Sequence, residues 1–118
     1  MTIMIVDDNE QMRKFLKSYF NNSKADIIEC SNGKEAVKKY NSNLPDWVLM
    51  DIRMPVMDGI EATRKIVDSF PDARIIIVTE HDDKSLREEA VKAGALKYIL
   101  KDNLSILQTY FTKDMENL

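Results

Sequence analysis

Cysteine and histidine are nearly absent from the chain, with Cys30 and His81 as their single representatives. One cysteine excludes a disulfide within the chain, and one residue of each type excludes a zinc site built from cysteine and histidine ligands. Three glycines and three prolines form no stretch with the composition of a flexible linker. We therefore expect a fold held together by an apolar core, in which Cys30 is a small buried residue.

Long apolar runs are also missing, and the charges nearly balance. The first apolar run, residues 2–6, is too short for a signal peptide, and no later run approaches membrane-spanning length. The formal net charge of −3 lacks the strongly basic character of nucleic-acid-binding domains. We expect a cytoplasmic chain that does not contact membranes and that reaches nucleic acid only through another domain or a partner.

The length of 118 residues suits one domain, spanning residues 1–118. Short runs rich in isoleucine and valine alternate with amphipathic segments along the whole chain. The runs predict five strands, at residues 2–6, 25–30, 46–50, 73–79 and 96–100. Residues 75–78 are apolar without alternation, which is typical of a parallel strand covered on both faces.

Apolar residues spaced three and four apart predict a helix after each strand. These residues are Met12, Phe15, Leu16, Tyr19 and Phe20 in the first helix (residues 10–20), Ala36, Val37 and Tyr40 in the second, Ile60, Thr63, Ile66, Val67 and Phe70 in the third, Leu86, Ala90 and Val91 in the fourth, and Leu104, Leu107, Tyr110 and Phe111 in the fifth. Asp58 predicts the start of the third helix, and Gly94 a left-handed end of the fourth. Five strand–helix units favour an α/β fold, a flavodoxin-like (βα)5 three-layer sandwich with a five-stranded parallel sheet in the common order 2-1-3-4-5.

Polar residues mark the ends of four of these strands. Asp7 and Asp8 follow the first strand, Asp51 follows the third, Thr79 ends the fourth, and Lys101 follows the fifth. Each residue alone has an ordinary explanation, as a helix cap, a solvated acid, a strand threonine or a surface lysine. Because ligands of open α/β sheets bind at the carboxyl ends of the strands, the joint placement favours one functional site.

Clustered carboxylates repel one another, and a hard divalent cation relieves that repulsion. Mg²⁺ prefers oxygen ligands and is usually held by one or two carboxylates together with phosphate oxygens, and Mn²⁺ is a plausible substitute. The ammonium of Lys101 and the hydroxyl of Thr79 suit a phosphoryl group, whose charge spreads over three oxygens. Asp51 lies on the central third strand and is the best candidate for a nucleophile that forms an aspartyl phosphate.

These residues resemble the receiver domain of two-component response regulators, and the resemblance covers essentially the whole chain. The matching segments are Val6-Asp7-Asp8-Asn9, Val48 to Gly59 with Asp51, Pro55 and Asp58 inside it, Ile77-Val78-Thr79, Ala93-Gly94-Ala95 and Tyr98-Ile99-Leu100-Lys101. A lone pair of aspartates is a weak signal, whereas the ordered set is a strong one. The Lys101-Asp102 pair is similar to receivers of the NarL/FixJ type, which carry a DNA-binding output domain.

The resemblance implies that Asp51 accepts the phosphoryl group from a phosphohistidine of a sensor histidine kinase. Asp8 and Asp51 would ligate Mg²⁺, with Asp7 acting mostly through water and with the backbone carbonyl of Arg53 as a further ligand. Such a protein is a switch, which catalyses only its own phosphorylation and dephosphorylation, and not an enzyme acting on external substrates.

The resemblance also assigns switch residues. Thr79 would move toward the phosphoryl group, Lys101 would pair with it, and Tyr98 would swing inward. The face formed by the fourth helix, fifth strand and fifth helix would then change its affinity for an output domain, a partner protein or a second copy of the chain, and so control transcription. From the residues alone, the favoured interpretation of Tyr98 is a strand residue with its ring on the sheet surface.

Two positions depart from the usual pattern of the family. Asp102 stands where many receivers have proline, and a cis bond before a residue other than proline costs several kcal/mol. Glu80 stands where a small residue is usual, so that a carboxylate would border the phosphoryl site. Together with Arg53 and His81, Glu80 is a candidate for tuning the lifetime of the aspartyl phosphate, although Arg53 and His81 are equally explained as solvated loop residues.

Other functions remain open at this point. A Mg²⁺-dependent phosphatase with an aspartyl-phosphate intermediate is the main alternative, but the position two residues after Asp51, where such enzymes carry an acid, is Arg53. A flavodoxin-like electron carrier would need a phosphate-binding loop after the first strand, where this chain is acidic. The third alternative is a degenerate receiver that serves only as an interaction module. The complete set of site residues argues against it.

Overall fold

The computed structural model describes residues 1–21 and 23–116, and within them all side chains except those of residues 110 and 112–116. Strands and helices alternate along the chain. They are β1 (Thr2–Val6), α1 (Glu10–Ser18), β2 (Asp26–Cys30), α2 (Gly33–Asn43), β3 (Trp47–Met50), α3 (Gly59–Ser69), β4 (Ile75–Thr79), α4 (Lys84–Ala93), β5 (Lys97–Leu100), a 3₁₀ turn (Lys101–Asn103) and α5 (Ser105–Glu116). Tyr110, predicted to belong to the apolar pattern of the fifth helix, has its side chain outside the described part of the structure.

The five strands form one parallel sheet in the order β2-β1-β3-β4-β5, which confirms the predicted flavodoxin-like topology. Successive strand residues point to opposite faces, because the side-chain period of a strand is two. On one face Met4, Val48 and Ile77 pack with residues of α2, α3 and α4. On the other face Ile5 and Leu49 pack with residues of α1 and α5, which completes a three-layer sandwich.

The helix boundaries follow from side-chain caps. Asn9, Asn32, Asp58 and Asp83 each accept a hydrogen bond from a backbone N–H in the first turn of the helix that they precede. The predicted cap at Asp58 is confirmed. Gly94 ends α4 in the left-handed conformation, with φ 107°, as predicted.

The predicted element ends are wrong by one or two residues in places. Strands β2 to β5 begin one or two residues later than predicted, and α1 ends at Ser18. Tyr19 and Phe20 continue the helix only as a tighter turn, in which each N–H bonds the carbonyl three residues earlier. Phe20 is nevertheless buried in the core, so the apolar pattern predicted its burial but not its conformation.

Two helical apolar residues also differ from the prediction. Val91 and Phe15 belong to the apolar patterns of the fourth and first helices, yet they are 66% and 53% exposed. Ala90 and Ala93 are the buried residues of α4 instead, and both belong to the core cluster on this face of the sheet. Cys30 is buried as expected, and burial raises the pKa of its thiol to about 12.

Among the described residues, no helix has both the length and the apolar character that crossing a membrane requires. The peptide bonds of the same residues are all trans, including the Lys101–Asp102 bond at which the sequence lacks proline.

Candidate functional site

Strand register brings the predicted acids together. Val6 pairs with Met50 across β1 and β3, so the next residues, Asp7 and Asp51, leave the sheet side by side. Carboxylate oxygens of Asp7, Asp8 and Asp51 all lie within 4.8 Å of one another. Asp7 and Asp51 are buried and Asp8 is exposed, so the cluster has two enclosed acids and one acid open to solvent.

The fifth strand delivers Lys101 to the same cluster. Its Nζ lies 3.0 Å from Oδ2 of Asp7 and 3.4 Å from Oδ2 of Asp51. Burial acts to lower the pKa of Lys101, but the contact with Asp7 and the charge of Asp51 outweigh it and leave the pKa raised. The lysine is therefore a fixed positive charge between two buried acids.

Asp51 is held in place by the backbone. Its own N–H donates to the carbonyl of Val6, and its Oδ1 accepts a 2.9 Å hydrogen bond from the N–H of Ile52. Burial, followed by the charge of Asp7, raises the pKa of Asp51 to about 6, against the opposing effect of Lys101. Its Oδ2 faces Lys101, so one carboxylate oxygen is fixed and the other borders the acid cluster.

One carboxylate oxygen of Asp7 is available as a metal ligand. Its Oδ1 accepts a 2.9 Å hydrogen bond from the N–H of Asn9. Its Oδ2 is buried and, although it is in ion contact with Lys101, it has no hydrogen bond of proper geometry among the described residues. Buried polar atoms are rarely left unsatisfied, and a carboxylate oxygen of this kind beside two other acids fits a hard divalent cation. The acid cluster Asp7, Asp8 and Asp51 thus fits the magnesium site of a receiver domain.

The acids and Lys101 line an open cleft of about 430 Å³ at the carboxyl edge of the sheet. Its other lining residues come from the loops after β1, β3 and β4 and from the start of α1, and are Asn9, Met12, Arg53, Glu80 and His81. The predicted tuning residues Arg53, Glu80 and His81 therefore do border the cluster. Arg53 and Glu80 are exposed, so both side chains can meet a molecule that enters the cleft.

Thr79 and Tyr98 lie behind the cleft on β4 and β5. Thr79 is fully buried, and its Oγ1 accepts a 3.2 Å hydrogen bond from the N–H of His81. The hydroxyl of Tyr98 donates a 2.7 Å hydrogen bond to the carbonyl of the same residue, His81. The two predicted switch residues thus bind the same loop, between β4 and α4, through the backbone N–H and the backbone carbonyl of His81.

The ring of Tyr98 is half-buried and is covered by a cation. The guanidinium carbon of Arg87 lies 4.4 Å from the ring centroid, and Nη2 of Arg87 lies 3.1 Å from Oδ1 of Asp82. Burial raises the pKa of the Tyr98 hydroxyl, with Arg87 acting in the opposite direction. Tyr98 is therefore packed between β5 and α4, and its ring does not stand free on the sheet surface.

A glycine allows the loop that follows Asp51 to close tightly. A Cβ atom at Gly59 would lie 1.7 Å from the carbonyl oxygen of Asp51, so only glycine fits at this position. Its N–H donates to the carbonyl of Ile52, which fixes the start of α3 against the end of β3. In the sequence, Gly59 was identified only as part of the motif around Asp51, and its close contact with the Asp51 carbonyl was not predicted.

Arg13 was missed altogether. It lies on α1, where its Nη1 donates a 2.7 Å hydrogen bond to the backbone carbonyl of Asp7. The signal that could have found it is a charged residue on the buried side of the helix, three and seven residues before the buried Leu16 and Phe20.

Comparison with known proteins gives the same result as the geometry. A family model described as the response regulator receiver domain matches residues 3–110. Chemotaxis protein CheY of Thermotoga maritima is 41% identical over 100 residues, which cover 84% of this chain and 83% of CheY. The uncharacterized transcriptional regulatory protein YhcZ of Bacillus subtilis is 40% identical over 104 residues, which cover 86% of this chain and 49% of YhcZ.

Solved structures agree. The CheX–CheY–BeF3–Mg complex of Borrelia burgdorferi contains a chain that superposes with a TM-score of 0.86 at 31% identity, covering 97% of this chain and 89% of that one. A LuxR-family response regulator of Aurantimonas superposes with the same TM-score at 30% identity, covering 98% of this chain and 85% of that one. The chain spans about half the length of YhcZ but most of the length of CheY. It belongs to the response regulator receiver domains, the signalling switches of two-component systems.

Proposed function

We propose that this receiver takes a phosphoryl group from a phosphohistidine of a sensor histidine kinase onto Oδ2 of Asp51. The observation that carries the proposal is the meeting of Asp51 with two further acids and Lys101 in one open cleft. In the transfer, the P–N bond of the phosphohistidine breaks as the P–O bond to Asp51 forms, and the imidazole leaves as the neutral base after gaining a proton. Water later cleaves the acyl phosphate and restores the carboxylate.

Asp7, Asp8, Asp51 and the backbone carbonyl of Arg53 are the proposed ligands of Mg²⁺, with Mn²⁺ as a substitute. When bound, the cation neutralises charge that develops on the phosphoryl oxygens. The CheY relative from Borrelia burgdorferi was crystallised with BeF3 and Mg, which supports this assignment. Asp51 is the acceptor because its Oδ1 is committed to the N–H of Ile52, which leaves Oδ2 facing the cleft.

Lys101 and Thr79 are the proposed partners of the transferred group. The ammonium of Lys101 already contacts Asp51, so it can follow the charge onto the phosphoryl oxygens without a large displacement. Thr79 would donate its hydroxyl proton to a phosphoryl oxygen, and the movement of Oγ1 toward that oxygen would break the hydrogen bond that it accepts from the N–H of His81, one of the two that hold the β4–α4 loop. Tyr98, which holds the other, is then the proposed second switch residue.

The proposed output surface is formed by α4, β5 and α5. Exposed apolar residues support it, because Val91, Leu96 and Ile106 lie on or beside these elements and are 66%, 50% and 43% exposed. An output domain, a partner protein or a second copy of the chain would bind there, and the regulation of transcription, the NarL/FixJ type and the cytoplasmic location stay predictions.

The acceptor is tested by incubating the protein with Mg²⁺ and acetyl phosphate and measuring its intact mass. We expect a gain of one phosphoryl group in the wild type, none in Asp51→Asn, and none when EDTA removes the cation. Asp58→Asn is the matched control, because an asparagine retains the oxygen that caps α3. Labelling of Asp51→Asn to the wild-type extent would contradict the assignment, and sustained phosphate release from generic phosphomonoesters would favour the phosphatase instead.

A further inference from the structure

Arg13 ties the loop between β1 and α1 to the neighbouring edge strand. Its Nη1 donates to the carbonyl of Asp7 at 2.7 Å, and its Nε donates to Oε1 of Glu29 on β2 at 3.0 Å. The side chain is only 16% exposed, so the guanidinium is largely enclosed between these two acceptors. Lys17 also pairs with Glu29, at 3.7 Å from Oε2, but has no contact with the loop in the described structure.

The polar groups of Asp7 are nearly all committed. Its N–H donates to the carbonyl of Cys30 at 3.0 Å, its carbonyl accepts from Arg13, and its Oδ1 accepts from the N–H of Asn9. Only Oδ2 is left without a hydrogen bond among the described residues. The backbone of Asp7 is therefore held on both sides, and among the side chains that the structure describes Arg13 alone bonds its carbonyl, on the side leading to Asp8.

We propose that Arg13 is a positioning residue, which sets the loop so that Asp7 and Asp8 present their carboxylates to a divalent cation, with Glu29 orienting the guanidinium. The inference rests on the proposed magnesium site. Removing a group that holds the ligands of a metal in place typically weakens metal binding about 10- to 100-fold. The reason is that the metal itself must then order the ligands.

The charge of Arg13 and its proposed positioning role predict opposite changes in Mg²⁺ affinity when the guanidinium is removed. By Coulomb's law alone, removing a positive charge near a cation site strengthens cation binding. By the positioning role, removing the guanidinium frees the carbonyl of Asp7 and weakens binding. The direction of the change in Mg²⁺ affinity therefore separates the proposed role from a simple effect of net charge.

The experiment compares Mg²⁺ dissociation constants, measured by isothermal titration calorimetry, for the wild type, Arg13→Met and Lys17→Met. Lys17→Met is the matched control, because it removes a cation that contacts the same Glu29 but not the loop. A second measurement, made without metal, is the hydrogen exchange rate of the Asn9 amide, which donates to Oδ1 of Asp7 and so reports on the order of the loop in the absence of the cation.

We expect the dissociation constant of Arg13→Met to rise about tenfold and its Asn9 amide to exchange faster, while Lys17→Met stays close to the wild type. An unchanged or lower constant in Arg13→Met would overturn the inference, as would an equal loss of affinity in Lys17→Met. If Arg13→Met does not fold, the polar variant Arg13→Gln is measured in its place, since it also removes the positive charge; a rise in its dissociation constant is expected, and an unchanged or lower constant counts against the inference. A wild type that binds no Mg²⁺ at millimolar concentration would overturn the proposed function as well, so the two failures are distinct.

Discussion

The ammonium of Lys101 lies nearer to Asp7 than to Asp51, the proposed acceptor, with Nζ 3.0 Å from Oδ2 of the first and 3.4 Å from Oδ2 of the second. In this arrangement the lysine occupies the oxygen of Asp7 that has no hydrogen bond among the described residues. It offsets part of the repulsion between the two acids, as a bound cation would. Lys101 and a divalent cation therefore compete for the same oxygen.

Loss of Lys101 is expected to strengthen cation binding. Charges of +1 and +2 about 6 Å apart in water repel by ~1.4 kcal/mol, so the Mg²⁺ dissociation constant of Lys101→Met should fall about tenfold. Calorimetric titration checks this, with the exposed Lys38→Met as a control that should leave the constant unchanged. A constant equal to or above that of the wild type would show that the lysine does not compete with the metal.

We expect Asp51, the proposed acceptor, to make the free energy of unfolding depend on pH. Because the pKa of Asp51 is raised to about 6 in the folded protein, the folded form binds more protons than the unfolded form between about pH 4 and 6. The contribution of this group to the free energy of unfolding therefore falls as the pH rises through that window. Asp51→Asn lacks this loss, and should be about 3 kcal/mol more stable than the wild type at pH 7.5 but not at pH 4.

Urea unfolding in EDTA, followed by the fluorescence of the buried Trp47, measures this difference at several pH values. Asparagine keeps the oxygen that accepts from Ile52, so the comparison isolates the charge. A stability difference that does not change between pH 4 and 7.5 would show that Asp51 has no raised pKa.

Glu80 is expected to slow the entry of anionic phosphodonors. Its exposed carboxylate borders the cleft that contains Asp51 and Lys101, and like charges repel an incoming anion. Glu80→Ala should be labelled by acetyl phosphate about two- to threefold faster at low salt, and should also lose its phosphoryl group at a changed rate. Mass measured over time gives both rates.

The control for Glu80 is Asp68→Asn, which removes an exposed charge near the end of α3, away from the cleft. Its rates should stay closer to those of the wild type than the rates of Glu80→Ala do, because the effect of a charge on an incoming anion weakens with its distance from the cleft. If Glu80→Ala also matches the wild type in both rates, its carboxylate has no influence on the site.

Gly59 is expected to be intolerant of any side chain. Alanine is the better helix former, and in an open helix it would stabilise the protein by up to about 1 kcal/mol. Here its Cβ would meet the carbonyl of Asp51 at 1.7 Å, so Gly59→Ala should lower the free energy of unfolding by about 3 kcal/mol. Ser69→Ala, exposed near the end of the same helix, should change it by less than about 0.5 kcal/mol.

Denaturant titration of both variants measures these differences. Because the clash would displace the carbonyl of Asp51, we also expect Gly59→Ala to be labelled by acetyl phosphate more slowly than Ser69→Ala. A neutral or stabilising effect of Gly59→Ala would mean that the loop after β3 is free to open.

The helix ends show how far local sequence was informative. Asp58 and Gly94 were predicted as a cap and a left-handed end because their chemistry acts within one turn. The place of Val91 in the apolar pattern was misleading, since a pattern of apolar residues does not tell which of them face the core. In the structure it is Ala90 and Ala93 that are buried in the core cluster.

The sequence by itself determined the alternating elements, the parallel sheet and the identity of the residues at the ends of its strands, because apolar periods and residue types are local properties of the chain. Only the tertiary structure decided which atoms of those residues meet. The pairing of Val6 with Met50 sets Asp7 beside Asp51, and the contact of Arg13 with Glu29 on β2 holds the guanidinium against the backbone of Asp7. Contacts of this kind depend on strand register and on side-chain rotamers, which are fixed by neighbours far away in sequence.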